Sequence, residues 1–320
     1  MSQAALDPGT AMGTARVVGA LAGRALRVQF RRAQFLIPAF LLPLVLLTVI
    51  ASGTSSATNL PGFPSTGAYV GFVVGGTLMQ GALLAGITAG IALAVDIEGG
   101  FFDRLLSAPI QRVSIVLGRV TASAGLGVVQ SVVFLAVAWV FGATYQGGVL
   151  GVAFAILLAA LMAGGMAALA ASIALRTGSL SLLQNLFPIV FVLLFTAPAF
   201  FPRDLLDPTM RTISEYNPLT YVVEAIRAAL HDDPALGDPL LGLAAALGVL
   251  VGATALAVWA MLVLHAFYDR HWADGAAALL GSFAVNWWFG HRGPRPTWPG
   301  LSMLFAVVGL GVAVWSFMYE

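Results

Sequence analysis

The sequence predicts an all-α polytopic membrane protein, and three observations lead there. Of 320 residues, 59% are hydrophobic and 9% are charged, against about 25% charged in soluble domains. The apolar residues form continuous runs long enough for helical spans, not the alternating strips of an outer-membrane barrel. Charge lies between the runs or near their ends, and no Asp, Glu or Arg falls in the middle of one. A soluble enzyme is excluded. Cysteine is absent, which removes disulfide frameworks, thiolate metal sites and cysteine nucleophiles. All 15 basic residues are arginine, and without lysine the chain holds no GxxxxGK[ST] phosphate loop.

A bilayer core takes about 20 helical residues. Six runs meet that length: 33–52, 68–95, 113–142, 149–175, 180–200 and 240–267. A seventh, 300–319, is flanked by Trp298, Trp315 and Tyr319, residues suited to a membrane interface. The run 275–290 has only 16 residues and contains Asn286, so it reads as interfacial or re-entrant. Ahead of the first span, Val17, Val18, Leu21, Leu26 and Val28 alternate with arginines, predicting an amphipathic helix on the inner surface. The organisation is thus an N-terminal cytoplasmic helix (1–32), a six-span domain (33–267), and a cytoplasmic linker with an additional C-terminal span (268–320).

The arginines orient the bundle. Arg16, Arg24, Arg27, Arg31, Arg32, Arg104, Arg112, Arg119, Arg176, Arg270, Arg292 and Arg295 fall on one side when the N-terminus is cytoplasmic. Only Arg203, Arg211 and Arg227 fall outside, where the segment 201–239 carries seven acids. This obeys the positive-inside rule. An ion-driven carrier needs an ionisable group within the membrane, so the uncharged span centres argue against one. They argue equally against a channel with a charged ring. The glycine pairs Gly71 and Gly75, Gly86 and Gly90, and Gly248 and Gly252 allow close helix approach, within the chain or between subunits. Four scattered histidines make no metal site, and no nucleic-acid partner is expected.

Two connecting segments carry the functional signal. Between the second and third spans, DIEGGFFDRLLSAPIQR (96–112) opens with two acids and a Gly-Gly break. It then gives a short helix mixing Phe101, Phe102, Leu105 and Leu106 with Asp103 and Arg104, ended by Pro109. Such a helix either docks in another protein's groove or seals against lipid headgroups. After the fifth span, Pro188 is expected to bend or break the helix. Pro198 and Pro202 end it near the outer face, and two amphipathic pieces, 204–214 and 219–230, follow around Asn217-Pro218. These pieces are placed to dip into the outer half of the bilayer. Glu224 and Arg227, three apart, are expected to pair.

Gly100, Asp103-Arg104, Pro109-Ile110, Arg112 and Gly118-Arg119 resemble the first cytoplasmic loop of type-2 ABC export permeases, particularly the daunorubicin-resistance class. Here Gly99-Gly100 and Phe101 replace that family's commoner Gly-Thr/Val-Leu run. Phe200-Phe201-Pro202, Asn217-Pro218-Leu219-Thr220 and Glu224-Ala225-Ile226-Arg227 resemble the same family's outer re-entrant helices. The resemblance covers roughly 12–270. It implies a coupling helix at about 99–110, preceded by Asp96 and Glu98, that receives the stroke of a separate ATP-binding subunit, with Arg176-Thr177-Gly178 as a second contact. It also implies an outer gate formed by Pro202, Asn217, Pro218, Glu224 and Arg227. ATP and Mg would sit on the partner subunit, with no catalytic residue or cofactor in this chain, and a second permease subunit, identical or related, would complete the path.

The expectation is therefore the membrane-spanning permease of an ABC exporter, moving hydrophobic or amphipathic cargo such as drugs or lipids outward. A lysine-free, alanine- and arginine-rich composition suggests the plasma membrane of a GC-rich bacterium. Three alternatives remain open. Export of polysaccharide or glycolipid is marked by aromatic residues lining the path. An ion-coupled carrier is marked by ATP-independent transport, and a non-transporting scaffold by failure to recruit an ATPase.

Overall fold

The computed structural model describes residues 8–31, 33–53, 69–107 and 110–268. Pro109 and the runs 275–290 and 300–319 lie outside the described residues. The elements are helical throughout: α1 (Pro8–Arg31), α2 (Ala33–Gly53), α3 (Tyr69–Glu98), α4 (Phe101–Leu106), α5 (Val113–Val140), α6 (Gly148–Thr177), α7 (Leu180–Gln184), α8 (Leu186–Thr196), α9 (Pro208–Tyr216), α10 (Pro218–His231) and α11 (Pro239–Tyr268). Among the described residues, α3, α5, α6 and α11 are long and apolar enough to cross a membrane. Shorter apolar stretches lie in α2 and across α7 and α8.

At the centre stands α3. Every residue from Tyr69 to Ile91 is buried, as a helix that is apolar all round requires. Two glycines let α6 approach it: a Cβ on Gly86 would lie 2.4 Å from Met166 Cβ, and one on Gly90 2.3 Å from Ala170 Cβ. These glycines, and Gly75 against α10, are used within the chain. Gly248 faces open space. Around α3 stand α2, α5, α8 and α10, while α6 also packs on α5 and α11.

Proline accounts for two irregularities. The carbonyl of Ala39 has no intrahelical donor, because residue 43 is Pro43. Gln130 of α5 fills the gap, its Nε2 donating to Ala39 O at 3.0 Å. The second lies in the run 180–200, which is two helices rather than one. Pro188 is the third residue of α8, and its ring excludes the carbonyl of Gln184, where α7 stops. Asn185 alone joins the two.

The amphipathic α1 lies along the N-terminal half of α5. Its Leu21 side chain reaches Gly118 and Leu26 reaches Gly125, while Thr14 Oγ1 donates to Gln111 Oε1 at 3.1 Å. Its apolar face is therefore spent on protein.

Candidate functional site

The two ends of α3 carry the two segments singled out by sequence. At the first end, α3 stops at Glu98 and Gly100 turns the chain with φ +67°, a left-handed conformation that glycine adopts without penalty. The helix α4 follows at once. Phe102 is buried at 3% exposure and Leu105 and Leu106 pack on the core, while Asp103 and Arg104 are exposed. The short helix is thus seated by its apolar side, leaving a charged edge free. Arg112, half-buried, opens the next helix at the N-terminal boundary of α5 and makes no side-chain cap.

Asp96 anchors this joint. It accepts a hydrogen bond from the buried Arg119 of α5 and lies 3.7 Å from Arg24 of α1. The guanidinium of Arg24 also sits 3.7 Å over the ring of Phe101, a cation–π contact. One arginine therefore ties α1 to both the foot of α3 and the start of α4. Gln29 joins Arg24, Asp96, Leu105 and Arg119 in lining a cavity of about 30 Å³ between them. Glu98 turns the other way, its Oε1 accepting from Leu180 N at 3.2 Å, so that it holds the start of α7. Arg176 stacks 4.2 Å over Trp259 of α11.

At the opposite end of α3, α9 and α10 are built by one device used twice. Asp207 and Asn217 each cap a helix, accepting from Thr209 N and Leu219 N at 3.0 Å, and a proline follows each at the first helical position. Asn217 serves doubly: its Nδ2 donates to Leu193 O at 2.7 Å and to Thr196 Oγ1 at 3.0 Å. This fastens the cap to the end of α8.

Arg227 fastens the cap to α3. At 2% exposure, its Nε donates to Phe72 O at 2.9 Å and its Nη2 to Ala199 O at 2.5 Å. The guanidinium lies 3.6 Å over the Phe72 ring. His231 Nε2 meets Gly71 O at 3.1 Å, and Tyr69 Oη donates to Phe200 O at 2.7 Å. Pro202 is buried and precedes a single 3-10 turn, Arg203–Leu205.

The expected pairing of Glu224 with Arg227 is corrected. Glu224 forms its ion pair with Arg203, at 3.2 Å, because Arg227 is drawn into the layer of backbone carbonyls on its other side. Burial pushes the Glu224 carboxyl above its ordinary range, against the opposing pull of Arg203. Burial likewise holds His231 below its ordinary value, against the pull of its bond to Gly71.

The structure thus brings Asp96, Phe101, Phe102, Leu105 and Leu106 into one joint, and Pro202, Asn217, Pro218, Glu224 and Arg227 into one cap. Sequence reasoning missed Arg24, Gln29, Tyr69, Arg203 and His231 as parts of these sites. It noticed Arg119 only as part of a pattern. A usable signal existed for some: an arginine between apolar residues near a span needs an acid close by.

The family described as ABC-2 type transporter matches residues 16–231. Among curated proteins, the chain is similar to the putative transport permeases ycf38 of Porphyra purpurea and Pyropia yezoensis, at 31% and 30% identity over 162 residues. Each match covers 50% of this chain and 55% of the relative, so the chain spans about half the length of the curated relatives it matches.

Proposed function

We propose that this chain, which belongs to the ABC-2 type transporter family, is the permease of an ATP-driven exporter in a bacterial plasma membrane. The coarser part follows from the family: it is a multi-pass membrane subunit of a transporter. In our reading two such subunits form the path, and separate ATP-binding subunits bind ATP and Mg and hydrolyse the nucleotide. The N-terminus, α4 and the foot of α3 face the cytoplasm, as the arginine distribution favours.

The observation that carries this reading is the mounting of α4. A six-residue helix is too short to stand alone, yet it is seated through Phe102 with Asp103 and Arg104 left outward. A push on that edge reaches α3 through the Gly100 turn, and α1 and α5 through Arg24, Asp96 and Arg119. From the foot of α3, Glu98 passes it to α7, and α8 carries it to Asn217 and, through Ala199 beyond its end, to Arg227. The absence of ionised side chains at the span centres supports hydrophobic or amphipathic cargo.

The test is purification from the native host followed by reconstitution with whatever ATP-binding protein accompanies the chain. ATP-dependent uptake of a hydrophobic cation into inside-out vesicles, lost without that protein, is the expected result. Transport by the isolated chain, or no ATP-binding companion, overturns the reading. A response to glycolipid or polysaccharide precursors alone rejects the cargo class and leaves the motor arrangement standing.

A further inference from the structure

Among the described residues, one face of α1 has no partner, and it carries only positive charge. Arg16, Arg27 and Arg31 are all exposed, and at roughly 100° per residue they fall within about 60° of arc. They span about 22 Å of helix. The residues Pro8–Arg31 include no acid, and among the described residues no carboxylate pairs with any of these three. The opposite face is occupied by protein, with Ala22 and Gln29 buried. Arg24, at the edge of the stripe, is already engaged by Asp96 and Phe101.

We propose that this stripe binds the anionic headgroups of the adjacent lipid leaflet. Position favours lipid over a soluble protein surface. Leu26 reaches Gly125, about 9 Å further along α5 than the charge pair at Arg119, and the apolar α2 begins at Ala33. Arg27 and Arg31 therefore sit at the membrane boundary. Phe30, 49% exposed, flanks them with an aromatic ring suited to that depth. Arginine forks match phosphate oxygens in pairs, and several basic residues near an anionic surface act together. Because Arg24 of the same helix holds Asp96 and Phe101, lipid held by α1 bears directly on the seat of α4. The inference needs the membrane and not export, so it stands or falls separately from the proposed function.

The test uses the full chain, together with any ATP-binding protein that co-purifies, reconstituted in phosphatidylcholine membranes that hold spin-labelled phosphatidylglycerol or spin-labelled phosphatidylcholine. The wild type is expected to immobilise the anionic label several-fold more readily, with the preference shrinking at high salt. The triple variant Arg16→Gln, Arg27→Gln, Arg31→Gln loses at least half of that preference at unchanged thermal stability. The corresponding triple lysine variant keeps it. An unchanged preference in the glutamine variant overturns the proposal. So does loss of the ATP-binding subunit from that variant with lipid selectivity intact, which would assign the stripe to a protein partner.

Discussion

The cap and the joint fasten short helices to the two ends of the same central span, but with different chemistry. In the cap, Arg227 is sealed from water and satisfied by the carbonyls of Phe72 and Ala199 together with an aromatic face. In the joint, Asp96 is shared by a buried arginine and a half-exposed one, and the charged edge of α4 is free. Dry hydrogen bonds to backbone are costly to break, because the partners left behind stay desolvated. The half-exposed contact of Arg24 with Asp96 and the free charges of α4 are in reach of water and exchange at small cost. The cap is thus built to hold one arrangement, and the joint to change its arrangement under a modest push.

The largest expected effect comes from breaking the cap. Arg227→Ala strands the carbonyl of Ala199 and opens a cavity, at a cost of about 3 kcal/mol. Thermal unfolding in detergent is expected to show a marked drop, and wild-type stability would mean that the cap is not locked by this residue. Asp96→Ala comes next. It leaves the buried Arg119 donor without its acceptor, and about 2 kcal/mol of destabilisation is expected, checked by the same melt.

A pH titration sharpens the comparison further. His231 is held neutral by burial, so its share of stability is complete above its ordinary value of 6.5. That share is lost as pH falls from there towards the lower value it has in the fold. Acidification should lower the melting temperature of the wild type more than that of His231→Gln; parallel curves would show that His231 contributes nothing to the cap. The smallest stability effect belongs to Arg104→Glu, which reverses an exposed charge and should change folding by less than about 0.5 kcal/mol. Its expected loss is in ATP-driven transport, measured in vesicles. Intact transport would take the free edge of α4 out of the mechanism.

Much of this was legible in sequence because the relevant physics is local. Apolar length marks spans, Gly-Gly ahead of a mixed apolar and charged stretch marks a turn into a short helix, and Pro188 marks the interruption between α7 and α8. Asn217-Pro218 announces a helix start by the cap it provides. What stayed hidden depends on neighbours distant in sequence. Helix spacing favours Glu224 with Arg227, yet packing gives Glu224 to Arg203 and Arg227 to two carbonyls. Nothing local in Asp96 points to Arg119 and Arg24, which arrive on other helices. The bond from Gln130 to Ala39 was half-visible: Pro43 leaves a carbonyl without a donor, but only the fold shows which polar side chain reaches it.

The account rests on α4 being the place where a separate ATP-binding subunit acts. Because the chain has no cysteine, a single Arg104→Cys substitution gives one labelling site for a short photo-crosslinker. Capture of an ATP-binding protein from that position, and not from Met210→Cys on the cap, is the predicted result. Capture from the cap alone, or of no ATP-binding protein from α4, would contradict it.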